Sequence, residues 1–126
     1  MSRDTALRRT LWAGAAYDVA LGLFILFGSP AAFRALGYTG APDSPFYSLS
    51  TLPLFVLPLV YVAAARARDT REFRLPVLGA RLLGGLLVIG WVLWQRPEAP
   101  AVYVTIGVVD WVWAGLHYAY GYSTRV

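Results

Sequence analysis

Four residues stand where ionisable side chains are costly. Asp18, Arg81 and Asp110 lie well inside long apolar stretches, and His117 sits near the end of the last one. Two acids, a guanidinium and an imidazole can do general acid–base chemistry, carry a proton, or pair off as a salt-bridge network. One arginine against two carboxyls leaves one carboxyl without a full cationic partner. A carboxyl of that kind beside an ionised one is the arrangement from which acid–base catalysis or proton coupling is built.

The elements that must position them are four apolar stretches, at 11–28, 46–65, 75–95 and 101–121. Each is about 20 residues long, enough to cross a hydrocarbon core of roughly 30 Å. Of the 126 residues, 58% are hydrophobic and 14% charged, and the stretches lack the polar residue every third or fourth position that a water-soluble bundle shows. The expected fold is therefore an all-α membrane protein, a single domain over 1–126 folded as an up-down-up-down bundle of four transmembrane helices. Arg3, Arg8, Arg9, Arg66, Arg68, Arg71, Arg74 and Arg125 flank one side of the spans, and only Arg34 and Arg96 the other. That bias puts both termini and the 66–74 connection in the cytoplasm. Trp12, Phe46, Tyr47, Trp91, Trp94, Tyr120 and Tyr122 stand near the span ends as interfacial anchors. Asp18 interrupts the first apolar run, which reads as a retained helix rather than a cleaved signal. The 29–45 connection is expected either to form a short interfacial helix around Phe33 and Leu36 or to be a surface loop.

Composition excludes several chemistries. With no cysteine, there is no thiol relay, iron–sulfur cluster or cysteine-ligated zinc. All 11 basic residues are arginine, so no Schiff base can form. His117 is the single histidine, no phosphate-cradling glycine loop is present, and neither a cofactor nor a metal site is implied. The arginines belong to the span ends, which argues against nucleic acid as a partner and for membrane lipids.

Counting 1.5 Å per residue from the cytoplasmic ends puts Asp18 roughly 10 Å deep, Arg81 roughly 9 Å, Asp110 roughly 16 Å and His117 roughly 6 Å. Asp18 and Arg81 are thus expected to pair, with Asp110 nearest the midplane. An unpaired charge at such depth costs about 2.5–3.5 kcal/mol or more, so all three should face inward. Helical spacing agrees: Gly14, Asp18 and Gly22 share a face, Ala80 and Gly84 flank Arg81, and Tyr103, Gly107, Asp110, Ala114, His117 and Gly121 form a third face. Pro53 and Pro58 are expected to bend the second span and free the carbonyls of Leu49 and Leu54, with Ser48, Ser50 and Thr51 nearby. A pocket in the extracytoplasmic half, floored by Asp110, would draw its aromatic lining from Tyr103, Trp111 and Trp113, with Tyr17 beside Asp18.

The chain resembles the small bacterial four-helix membrane proteins of the DoxX-like kind. The resemblance rests on TyrAspValAlaLeuGlyLeuPheIleLeuPheGlySerPro at 17–30, PheArgAlaLeuGlyTyr at 33–38 and ValValAspTrpValTrpAlaGlyLeuHisTyr at 108–118. It implies a bacterial inner-membrane location. More distantly the chain is similar to the emopamil-binding-protein and sigma-2-receptor superfamily, which implies acids lining a lipophilic cavity; here the second acid lies on the fourth span rather than the early ones.

Three functions follow as expectations. The first is an intramembrane site that binds an isoprenoid, sterol-like or quinone-like molecule, with Asp110, Asp18, Arg81 and His117 available for isomerisation or cyclisation. The second is a proton-coupled exporter. The third is a structural or accessory subunit whose charges fix helix pairing. A homo-oligomer is compatible with each.

Overall fold

A computed structural model describes residues 3–39 and 51–122, and all of its regular elements there are helical. Helix α1 runs Arg3–Phe27, α2 Pro30–Ala35, α3 Leu52–Arg66, α4 Arg74–Gln95 and α5 Pro100–His117. A 3-10 turn, Thr70–Phe73, leads into α4, and a π turn, Tyr118–Tyr122, ends the described chain. Asp4–Phe27 and Thr70–Gln95 are long and apolar enough to cross a membrane, and Leu52–Arg66 is a shorter apolar helix.

The elements follow from local chemistry. Within the 29–39 segment, Pro30–Ala35 forms a short helix rather than a plain loop. Ser29 caps α2, its hydroxyl accepting from the Ala32 N–H at 3.2 Å, and Pro30 supplies the first-turn position where a missing N–H costs nothing. Gly37 closes it at φ 98°, letting the Gly37 N–H reach the Arg34 carbonyl and the Tyr38 N–H reach that of Phe33. Phe33 and Tyr38 are thereby folded down into the protein, ring against ring at 5.6 Å.

Two sequence boundaries are corrected. Helix α1 begins eight residues before position 11, because Leu7 and Leu11 bury one turn apart while Asp4 and Arg8 pair across a turn at 2.6 Å. The arginine-rich start is thus helical. Pro53 lies in the first turn of α3, where no intrahelical N–H is needed, so Pro58 is the interior proline and frees the Leu54 carbonyl. The start of the second span at 46–50, with Phe46, Tyr47, Ser48, Leu49 and Ser50, and the tail with Arg125 lie outside the described residues.

Packing is pairwise. The most extensive contacts are α1 on α3 and α4 on α5, with the π turn joining α1 to α5. Glycines set both approaches. A Cβ on Gly22 would lie 2.8 Å from the Phe55 ring, and one on Gly85 would lie 2.7 Å from the Gly107 carbonyl oxygen. The continuous apolar core, Leu7, Leu11, Ala15, Tyr61, Ala64, Ala65 and Val77, fills the arginine-rich half of the molecule.

Candidate functional site

Arg81 is the centre of the buried charges. It projects from the second turn of α4 and is 1% exposed. Nη1 donates to Asp18 Oδ1 at 2.8 Å and to Asp110 Oδ1 at 2.7 Å, while Nη2 donates to Asp18 Oδ2 at 2.9 Å and to the Gly14 carbonyl at 3.3 Å. Sequence depth pointed to Asp18 as the partner. The structure gives Arg81 both acids, because Asp110 sits across the close α4–α5 approach made by Gly85 and Gly107.

The two carboxylates are not equivalent. Asp18 is wholly buried and holds the guanidinium with both oxygens. The Asp110 side chain keeps 16% exposure, and its Oδ2 has no hydrogen-bond partner among the described residues. A Cβ on Gly84 would stand 3.4 Å from that oxygen, so the small residue leaves it room.

His117 is buried on the arginine-rich side of the triad. Its Nδ1 lies 3.1 Å from Thr10 Oγ1, whose hydroxyl already donates to the Leu7 carbonyl at 2.8 Å. Thr10 therefore accepts and Nδ1 carries the proton, leaving Nε2 as the bare acceptor. A Cβ on Gly14 would lie 3.3 Å from Arg81 Nη2 and 3.5 Å from His117 Nε2, so Gly14 is the surface over which the two groups meet.

Tyr61 on α3 completes the cluster and escaped the sequence reading. Its ring lies 4.7 Å beneath the Arg81 guanidinium carbon and 5.9 Å from the His117 ring. The signal available was its place one turn from the small run Ala63, Ala64 and Ala65, on the face shared with Pro58. Thr10 was missed as well, being a single hydroxyl just outside the apolar stretch at 11–28.

The aromatic residues separate. Tyr103 packs edge-on against Tyr38 at 6.2 Å and against Trp91 at 5.2 Å, at the end of the molecule opposite the arginine-rich half. Trp113 stacks on His117 at 5.8 Å and meets Tyr17 at 6.1 Å. Trp111 is half exposed and donates from Nε1 to the Leu82 carbonyl at 3.2 Å.

Between α1, α2 and α5 runs an apolar cleft of about 400 Å³. Leu21, Phe24, Phe33, Tyr38, Tyr103 and Ile106 are among its walls. Tyr103 is thus the one expected ligand-facing residue that lines it; Asp110, Trp111, Trp113 and Tyr17 do not. Asp18 stands three residues below Leu21 and Asp110 four below Ile106, which sets the triad roughly 5–6 Å beneath the cleft on both helices. The α2 roof is pinned where the Thr39 N–H donates to Glu98 in the α4–α5 turn at 2.6 Å. Among the described residues, no group of three or more metal-ligating side chains is gathered.

Compared with protein-family models, curated proteins and solved structures, the chain matches none of them.

Proposed function

We propose that this protein is a four-span membrane protein with both termini cytoplasmic, and that it binds a hydrophobic small molecule in the cleft between α1, α2 and α5. The carrying observation is the cleft itself, about 400 Å³ and walled by apolar and aromatic side chains. That size falls in the range of small-molecule sites, which run to about 300–1,000 Å³. In a bilayer the cleft faces the acyl region of the outer leaflet, a source of isoprenoid, sterol-like or quinone-like compounds. The triad one turn below fixes α1, α4 and α5 together, and so keeps the lower end of the cleft from collapsing.

The reading is one of binding rather than turnover. Both carboxylates are engaged by Arg81 and neither lines the cleft. The same engagement favours a second reading, a structural subunit in which the triad only fixes helix pairing. Purification in mild detergent followed by mass spectrometry of the extracted lipids separates them. A stoichiometric lipophile, lost when Ile106→Trp fills the cleft, supports binding; a chain that carries nothing and is unchanged by Ile106→Trp leaves the structural reading. Because the chain has no cysteine, single cysteines at Ser2 and Thr39 test topology. Labelling of both from outside intact cells would refute the four-span arrangement.

A further inference from the structure

Among the described residues, three polar atoms around the triad are buried without a hydrogen-bond partner: Tyr61 Oη, His117 Nε2 and Arg81 Nε. They belong to side chains that are 0%, 0% and 1% exposed and that touch one another. Arg81 lies over the Tyr61 ring, Tyr61 packs on His117, and His117 Nε2 shares the Gly14 surface with Arg81 Nη2. One unpaired polar atom in a core is a local defect. Three on mutually contacting side chains, beside the continuous apolar core, mark a place built to hydrogen-bond something else.

The three atoms specify its chemistry. His117 donates to Thr10 through Nδ1, so Nε2 offers only a lone pair. Arg81 Nε offers only an N–H, and the Tyr61 hydroxyl can donate or accept. A partner must therefore donate to the imidazole and accept from the guanidinium. It must also be small, since the side chains around it are closed to the exterior. Water meets these requirements; an anion fails at the imidazole lone pair and a cation at the arginine.

We infer that Tyr61, His117 and Arg81 form an internal hydration site on the arginine-rich side of the triad, opposite the cleft, holding one or two ordered water molecules. The site makes the polar path continuous from the partly exposed Thr10 through His117 to Asp18 and Asp110. It is independent of whether the cleft takes a lipophile.

His117 is the single histidine, so its ring nitrogens are individually visible in solid-state NMR of the full chain in lipid bilayers. Expected are a protonated Nδ1, a bare Nε2 with the shift of a hydrogen-bonded acceptor, and early transfer of magnetisation from water to the ring. Tyr61→Phe keeps the ring beneath Arg81 and removes only the hydroxyl. It should weaken the water transfer and lower Tm by several degrees, because a bonded hydroxyl is lost. An Nε2 free of hydrogen bonding, with no transfer from water, overturns the inference. So does a Tyr61→Phe chain with equal or higher Tm, the result for a hydroxyl that bonds to nothing. A hydrogen-bonded Nε2 shift abolished by Tyr61→Phe without any water transfer identifies a direct tyrosine–histidine pair and overturns it too.

Discussion

Arg81 and Asp18 are joined by two parallel hydrogen bonds, Nη1 to Oδ1 at 2.8 Å and Nη2 to Oδ2 at 2.9 Å, with both side chains sealed from the exterior. A fork-to-fork pair fixes orientation as well as distance, and a lysine cannot reproduce it. Arg81→Leu leaves two carboxyls buried without their cation and is expected to cost about 3–5 kcal/mol. Arg81→Lys should fall between it and the parent. Replacing Asp18, Arg81 and Asp110 together by leucine should recover much of the loss, since the desolvation of all three charges disappears. Circular dichroism melts of the four proteins in one detergent check the order; a triple variant less stable than Arg81→Leu would contradict it.

The α4–α5 seam depends on Gly85 more than on any propensity. A Cβ there would meet the Trp111 indole and come within 2.7 Å of the Gly107 carbonyl oxygen. Backbone cannot yield as a side chain can, so Gly85→Ala should force the helices apart, lower Tm and break the Arg81–Asp110 bond. Gly90 is the matched control, on the same helix with nothing among the described residues within 4 Å of its Cβ position. Gly90→Ala should be neutral or stabilising by up to about 1 kcal/mol. Equal melting shifts in the two variants would show that the seam is not close-packed.

The inward positions of Asp18, Arg81 and Asp110 were legible because a charge in an apolar run has few places to go. The pairing of Arg81 with Asp18 followed from equal depth along helices of known rise. Contact of Asp110 with the pair was readable from the small residues Gly84, Gly85 and Gly107, which allow close approach; depth alone set Asp110 apart, because it says nothing of how closely α4 and α5 come together. Trp111 and Trp113 could not be sorted, because residues two apart leave a helix in different directions. Tyr61 was hidden for another reason. Its role is to lie under a cation, and its spacing from Pro58 and the alanine run marks it only as inward-facing.

At the arginine-rich end, Asp4 accepts from Arg8 Nε at 2.6 Å and from the Thr70 hydroxyl at 3.3 Å, tying α1 to the 3-10 turn. The Arg8 hydrogen bond holds the Asp4 carboxyl below the usual carboxylate range. A lowered acid stabilises the fold while it is ionised. Its contribution is therefore full above about pH 4, the ordinary carboxyl value, and fades as pH falls through the lower folded value. With the Asp4 side chain 54% exposed, the pair should contribute less than about 1 kcal/mol. Asp4→Asn should thus melt slightly below the parent at pH 7, with the gap closing below about pH 4. A gap that widens on acidification would reverse the assignment.

Two substitutions on α5 separate the triad from the cleft. Asp110→Asn keeps an oxygen to accept from Arg81 Nη1 and turns an amide toward the space beside Gly84. It removes a negative charge from a cluster holding two acids against one cation, so the fold should survive with only a modest change in Tm. Since Asp110 does not line the cleft, the variant should also retain the co-purified lipophile in the parent's ratio to protein. Ile106→Trp should show the converse, near-parental melting with the lipophile lost, because Ile106 walls the cleft one turn above the acid. The two variants change neighbouring turns of one helix, so a general loosening of α5 would affect both alike. If Asp110→Asn instead releases the lipophile while Ile106→Trp keeps it, the ligand is held by the carboxyl and the binding site belongs at the triad. If Asp110→Asn keeps the lipophile but alters its chemical form in the extract, the acid acts on a molecule that the cleft holds, and binding and chemistry are divided between the two turns.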